Sequence, residues 1–91
     1  MERKRNKLEI IRDILRVIKE KNGKIKPTHI LYKSNLSHQM MKEYLDELMK
    51  KEFIIETETK NSKTYSVTEK GMQYLEEFSA IQAFTSSFGL D

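Results

Sequence analysis

Four polar side chains near the start of one predicted helix have the chemistry of nucleic-acid recognition. In the stretch SHQMMKEYLDELMKK, Ser37 is followed by His38, Gln39 and Lys42. If the apolar residues of this helix face the core, the helical rotation turns His38, Gln39 and Lys42 outward. Glutamine pairs bidentately with adenine and histidine can donate or accept, while serine and lysine suit phosphates. The pattern predicts DNA contact. The alternative is that Ser37 is only a helix cap and Lys42 only a solvated lysine.

Other cations and polar residues are predicted to meet the phosphate backbone. Two lysines flank a predicted hairpin turn, where they contact phosphates or simply protect an exposed strand edge. A basic N-terminal arm either follows a groove of the DNA or is an ordinary charged terminus. The candidates are Lys60, Asn61, Ser62 and Lys63 in the hairpin turn, Lys26, Thr28 and Lys33 in a short second helix, and Arg3, Lys4 and Arg5 in the arm.

The remaining polar and aromatic side chains predict no catalytic or metal chemistry. His29 and His38 are nine residues apart and the chain has no cysteine, so we expect neither a metal site nor a cofactor. No nucleophile–base pair or Gly-rich phosphate loop is recognisable, so we expect no enzyme. Tyr32 and Tyr44 lie close to the apolar faces of their helices, which predicts packing at the edge of the core rather than stacking on bases.

The net charge of +3 is unevenly distributed along the 91 residues. Residues 1–35 contain eleven Lys or Arg against four Asp or Glu, whereas residues 36–91 contain six against ten. A basic first half suits a polyanionic partner. An unevenly charged, solvated surface is the alternative.

The length and hydropathy of the chain limit its organisation. With 37% hydrophobic residues, we expect one small domain over residues 1–91, made of a core at 7–67 and a C-terminal helix at 68–88. No apolar run approaches the roughly 20 residues that span a bilayer. The N-terminus MERKRNKLEIIRDI lacks the uninterrupted apolar segment of a signal peptide. We therefore expect a cytoplasmic protein with no membrane partner, and the predicted DNA contact would place it at the nucleoid.

Apolar spacing and capping residues predict the order helix, short strand, helix, helix, β-hairpin, helix. Asn6, Ser37 and Thr68 are suited to cap the first, third and last helices, and Ile25 suits the short strand. The fold class is thus α+β and mainly helical. This order is that of a winged helix-turn-helix, in which the third helix enters the DNA major groove and the hairpin, or wing, lies along the backbone.

Three segments of the chain resemble a known family. They are LEIIRDIL, THILYKSNLSHQMMKEYLDELMKKEFI and YSVTEKGMQYLEEF, which together extend from Leu8 to Phe78. They are similar to the archaeal winged-helix DNA-binding proteins, a group of predicted transcriptional regulators. That group includes the ten-kilodalton archaeal DNA-binding proteins that dimerise through a C-terminal helix. The resemblance implies a transcription regulator that binds double-stranded DNA as a homodimer.

The last predicted helix carries more apolar surface than one small domain needs, since three of the four phenylalanines follow residue 77. A monomer would leave a patch to be covered, and a two-fold pairing of these helices would cover it. The alternative is packing of the tail against the first helix. The residues expected at the dimer contact are Leu75, Phe78, Ile81, Phe84 and Phe88.

Two other functions fit the same fold, because winged helices also serve as protein-interaction modules. Such a module of the transcription machinery would depend on Glu43, Asp46 and Glu47 more than on Lys42. A non-specific chromatin architectural protein would bind DNA without sequence preference, although a net charge of +3 is modest for that function.

Overall fold

The computed structural model describes residues 6–21 and 23–90, which form four helices and a two-stranded antiparallel hairpin. In chain order the elements are α1 Lys7–Glu20, α2 Pro27–Ser34, α3 His38–Lys50, β1 Ile54–Glu58, β2 Lys63–Val67 and α4 Glu69–Ser87. The predicted α+β, mainly helical class is confirmed, with a winged helix-turn-helix followed by a C-terminal helix. None of the helices in this part of the chain has the length and apolar character to cross a membrane.

The predicted N-caps of α1 and α3 are confirmed. Asn6 Oδ1 accepts a hydrogen bond from the Glu9 N–H at 2.8 Å, and Glu9 Oε1 accepts one in return from the Asn6 N–H at 3.4 Å. At α3, Ser37 Oγ accepts from the Met40 N–H at 3.2 Å. These bonds satisfy amide groups that the first turn of a helix leaves without partners, and so they define where both helices begin.

The core is one cluster of aliphatic side chains around α1. Five residues of this helix are buried, so its apolar face is wide. Between α1 and α2, Ile25 is fully buried and forms a single antiparallel bridge to Tyr65 of β2, where a short strand was predicted. The other elements contribute Ile30, Met41, Leu45, Leu48 and Ile54 to the same cluster.

The hairpin pairs β1 with β2 from Ile54 opposite Val67 to Glu58 opposite Lys63. Its alternation is clear at the start, where Ile54 is buried and Ile55 is exposed. Tyr65 faces inward and its hydroxyl donates to Glu56 Oε2 at 3.5 Å. Burial, and secondly the neighbouring Glu56 carboxylate, raise the pKa of Tyr65, so its hydroxyl keeps its proton.

Helix α4 is attached directly to the hairpin, because Thr68 alone separates it from β2. Thr68 Oγ1 caps the helix by accepting from the Gly71 N–H at 3.1 Å, and it donates to the Glu52 carbonyl at 2.6 Å. Two residues further on, Lys70 Nζ donates to the Lys51 carbonyl at 2.8 Å. These bonds fasten the start of α4 to the turn that follows α3.

One prediction about packing was wrong. Tyr32 is 78% exposed, not packed at the edge of the core. Helix α2 has only eight residues, and its inward side is occupied by the buried Ile30 and Ser34. Two positions beyond Ile30, at about 100° per residue, Tyr32 lies on the opposite side of the helix. Tyr44, by contrast, packs half-buried against the core as predicted.

Candidate nucleic-acid interface

The first turns of α3 present a bare polar side. His38, Gln39 and Lys42 are all exposed, whereas Met41 and Leu45 of the same helix are buried. Within the part of the chain that the structure describes, Lys42 makes no ion pair or hydrogen bond. Its ammonium group is therefore available to an anionic partner.

Two carboxylates limit how much of α3 suits such a partner. Gln39 Nε2 donates to Glu43 Oε1 at 3.3 Å, so this amide must leave Glu43 before it can pair with a base. Asp46, one turn beyond Lys42, is also exposed. Because both carboxylates would repel phosphates, only the N-terminal turns of α3 have the electrostatic character of a DNA contact.

Ser37 is a helix cap that still has a donor for a second partner. Its Oγ caps α3 by accepting from the Met40 N–H, and the residue is exposed. A hydroxyl that accepts one bond still has its own O–H to donate. Ser37 also lies at the positive end of the helix dipole, which favours an anion there.

The turn of the wing is held by its own polar side chains. The Thr59 N–H donates to the Ser62 carbonyl at 2.8 Å, and the two side-chain hydroxyls are 3.0 Å apart. Lys60 and Asn61 at the tip are exposed, whereas Ser62 is half-buried. Lys63 lies 3.8 Å from Glu56 across the hairpin, so part of its charge is balanced within the domain. Lys60 is consequently the less neutralised cation of the two.

The predicted contacts of α2 are also exposed at the surface. Lys26 is the N-cap residue of α2 and Thr28 lies in its first turn, while Lys33 belongs to the last turn. The predicted contacts of the arm, Arg3, Lys4 and Arg5, lie outside the described residues.

A longer charge pattern was missed when the sequence was divided at residue 35. From position 21 to position 42 there is no Asp or Glu, but there are five lysines and both histidines. This carboxylate-free segment contains the whole α1–α2 connection, all of α2 and the start of α3. The signal was present in the sequence, and the structure shows that it ends at the exposed start of α3.

An ion pair joins α3 to the start of α1. Lys7 Nζ lies 3.0 Å from Glu47 Oε2, and Lys51 Nζ lies 3.7 Å from the same oxygen. The hydrogen bond from Lys7, aided by the charges of both lysines, lowers the pKa of Glu47. Glu47 is therefore occupied by structural contacts and is less available to a partner than Glu43 or Asp46.

Helix α4 divides into two halves with different surroundings. In the first half, Leu75 is half-buried against the core and Phe78 lies under Arg12, whose guanidinium carbon is 5.0 Å from the ring centre. In the second half the apolar side chains are open to solvent. The exposed fractions are 63% for Ile81, 59% for Phe84 and 66% for Phe88.

The first half of α4 is anchored to α1 by an aromatic group. Tyr74 stacks on Phe78 with ring centres 6.1 Å apart and meets Phe53 edge-on at 5.5 Å. Its hydroxyl donates to the Leu8 carbonyl at 2.8 Å. Burial raises the pKa of Tyr74, against a smaller lowering by Arg12, so this donor stays protonated.

This arrangement of helices and wing is matched by a family model described as winged helix-turn-helix, which covers residues 4–86. The chain belongs to the winged helix-turn-helix family. Within the described residues, no cluster of three or more His, Asp or Glu side chains is arranged to hold a metal ion.

Three similar proteins all come from archaea, as the resemblance predicted. The structure of Sso10a-2, a DNA-binding protein from Sulfolobus solfataricus, matches with a TM-score of 0.75 and 31% sequence identity, over 93% of this chain and 90% of that one. Two uncharacterized proteins of Methanocaldococcus jannaschii are 35% identical over 78 residues and 37% identical over 68 residues. These matches cover 86% and 75% of this winged helix-turn-helix chain, but only 34% and 64% of the two relatives.

Proposed function

We propose that this protein binds double-stranded DNA as a homodimer and regulates transcription. The observation that carries the proposal is the carboxylate-free segment at positions 21–42, which ends in the exposed first turns of α3. The charged side chains of this segment are all cations, and the first carboxylate that a polyanion meets along α3 is Glu43 at its border. The similarity to Sso10a-2, whose description is that of a DNA-binding protein, supports the same conclusion.

The proposed contacts divide between base edges and phosphates. His38 and Gln39 at the start of α3 read bases in the major groove, where a glutamine amide matches adenine. Three groups of residues contact phosphates on either side of these bases. These contacts fix the position of the protein along the duplex. The groups are Ser37 and Lys42 of α3 with Lys26, Thr28 and Lys33 of α2, Lys60, Asn61, Ser62 and Lys63 of the wing, and Arg3, Lys4 and Arg5 of the arm.

The proposed dimer forms through the exposed half of α4. Two-fold pairing buries Ile81, Phe84 and Phe88 of both copies, with Leu75 and Phe78 at the margin of the contact. The two α3 helices then face half-sites about one turn of DNA, roughly 34 Å, apart. The protein acts by binding alone, without catalysis, at the nucleoid in the cytoplasm.

The proposal is tested by titrating the protein against duplex DNA at several salt concentrations. Contact with phosphates releases counterions, so the logarithm of the binding constant should fall linearly with the logarithm of salt, by roughly 0.9 per phosphate. Micromolar protein that gives no salt-dependent binding would exclude the proposal.

Charge reversal tests the two proposed surfaces separately. We expect Lys42→Glu and Lys60→Glu each to weaken duplex binding by about tenfold without lowering the melting temperature, because they turn phosphate contacts into repulsion and neither lysine makes an ion pair with another described residue. Lys50→Glu is the matched control, since it makes the same charge change in the last turn of the same helix. An equal loss in Lys50→Glu would mean that only overall charge matters.

The exposed carboxylates Glu43 and Asp46 favour a second candidate function, a protein-interaction module. Glu43→Gln with Asp46→Asn would then abolish partner binding, whereas the DNA proposal expects unchanged or tighter duplex binding. Selection of bound sequences from a random DNA pool separates a sequence-reading regulator from a chromatin protein. A pool with no enriched sequence would favour the chromatin protein.

A further inference from the structure

The Tyr32 side chain extends into solvent from the outer side of the basic helix α2. It is 78% exposed, and it has no ring contact or hydrogen bond within the described residues. His29 and Lys33 flank it on the outer side of α2, three residues before it and one residue after it. Together with Lys21 at the end of α1, these side chains line one shallow hollow of the surface.

The two lysines that line this hollow favour an anion. It lies within the carboxylate-free segment at positions 21–42, and the nearest acidic residue along the chain is Glu20. Lys21 and Lys33 are exposed, and neither makes a side-chain ion pair with another described residue. An accessible aromatic ring between free ammonium groups has the composition of a single-stranded nucleic-acid site, in which rings stack on bases and cations meet the backbone.

We propose that Tyr32 is a stacking platform for an unpaired base of single-stranded nucleic acid, with Lys21 and Lys33 at the adjoining phosphates. This goes beyond the proposed duplex binding, because the bases of a duplex are already stacked on one another and offer no free face to a tyrosine. The stacking is tolerant of sequence, since every base has a π-face.

Fluorescence provides a direct test, because the chain contains no tryptophan. In the Tyr32→Trp variant, a twelve-nucleotide oligo-dT or oligo-rU should quench the emission of the introduced indole as bases stack on it. Gln73→Trp is the matched control. Position 73 is exposed on α4 beside Glu69, Glu76 and Lys70, where two carboxylates outweigh one lysine, so the emission there should not change.

Affinity measurements on the full chain separate stacking from general attraction. Tyr32→Ala should weaken binding of the labelled oligo-dT by about tenfold, while Tyr32→Phe should stay within about twofold because it keeps the ring. Duplex affinity should be the same in both variants as in the unmodified protein. Circular dichroism melts, which should not change for so exposed a side chain, verify that each variant is folded.

The outcomes distinguish this inference from the proposed function. Loss of oligo-dT or oligo-rU binding in Tyr32→Ala, with duplex binding kept, supports the platform, and the two oligonucleotides show whether DNA or RNA is preferred. No binding of either, or equal affinity of Tyr32→Ala and the unmodified chain, overturns it. An equal loss for duplex and single strand also overturns it, because Tyr32 would then be part of the duplex contact.

Discussion

Gly71 lies where α4 passes closest to the turn between α3 and β1. A Cβ atom added at this residue would lie 2.6 Å from Val67 Cγ1 and would also collide with the carbonyl oxygen of Phe53. The same turn of α4 is held by the Thr68 cap. The glycine of the segment TEKG is therefore required by the close approach of two backbones, since its own helical conformation would accept any residue.

We expect Gly71→Ala to lower the free energy of unfolding by about 1–3 kcal/mol, since a backbone carbonyl cannot move aside as a flexible side chain can. The sign is informative because Gly→Ala within a helix ordinarily stabilises by up to about 1 kcal/mol. Urea unfolding at one fixed protein concentration measures this change in the free energy of unfolding. Gly89→Ala is the contrasting case, because nothing lies within 4 Å of an added Cβ there and any loss of stability would come from its positive φ of 67° rather than from a clash. A stabilised Gly71→Ala protein would contradict this account.

At the residue scale, the sequence predicted the features that depend on near neighbours. The caps at Asn6, Ser37 and Thr68 were predicted because the bonds they make close within three residues. The exposure of Tyr32 was not, because it depends on which side of a two-turn helix meets the core. Such a short helix has too few apolar residues to define that side by periodicity alone.

Between elements, the Lys7–Glu47 pair is a contact of side chains 40 positions apart. It links the first turn of α1 to α3, and Lys51 approaches the same carboxylate. Because the pKa of Glu47 is lowered on folding, its contribution to stability is present above the ordinary value of 4.5 and is lost as the pH falls through the lowered value.

We therefore expect the melting temperature to fall less between pH 6 and pH 3 in Glu47→Gln than in the unmodified protein. The difference should shrink in high salt, because the pair is exposed to solvent and screened. Lys7→Gln should produce a similar change, and the double variant little more than either single one. Identical pH profiles for Glu47→Gln and the unmodified protein would show that the pair does not contribute to stability.

At the element scale, the order of elements and the inward faces of α1 and α3 could be read from helical spacing, because the apolar residues recur over several turns. Contacts between elements could not. The Lys63–Glu56 pair depends on the register of the hairpin, and the cover of Arg12 over Phe78 depends on the angle between α1 and α4. For the same reason, the sequence did not show that α4 divides into a packed and an exposed half.

At the scale of the whole molecule, the protein is elongated, with principal dimensions of 50 × 30 × 21 Å. The exposed end of α4 carries Phe84 and Phe88, whose ring centres are 5.0 Å apart. With Ile81 they form an apolar stripe that no other described part of the chain covers. The sequence predicted an apolar tail of this kind, and its pairing with a second copy stays a prediction.

We expect the combined change Ile81→Ala and Phe84→Ala to weaken dimerisation about a hundredfold or more, because burial of each large apolar side chain contributes about 1.5–3 kcal/mol. Light scattering over a concentration series measures the shift. Gln82→Ala, an exposed polar position of the same helix, should leave the dimer intact.

Phe78→Ala separates packing within the chain from packing between copies. It should lower the melting temperature but change the dimer affinity little, because Phe78 packs on Tyr74 and Arg12 of its own chain. An unmodified protein that scatters as a monomer at tens of micromolar would rule out the dimer.

The single residue between β2 and α4 has a mechanical consequence. Only one residue joins β2 to α4, and Tyr74 and Lys70 bond α4 to the rest of the domain. The orientation of α4 relative to α3 and the wing is therefore fixed. Two copies that pair through the C-terminal ends of α4 would hold their α3 helices at one fixed separation. Such a dimer would bind two half-sites only at one spacing, and inserting a few base pairs between half-sites of the right sequence would abolish binding.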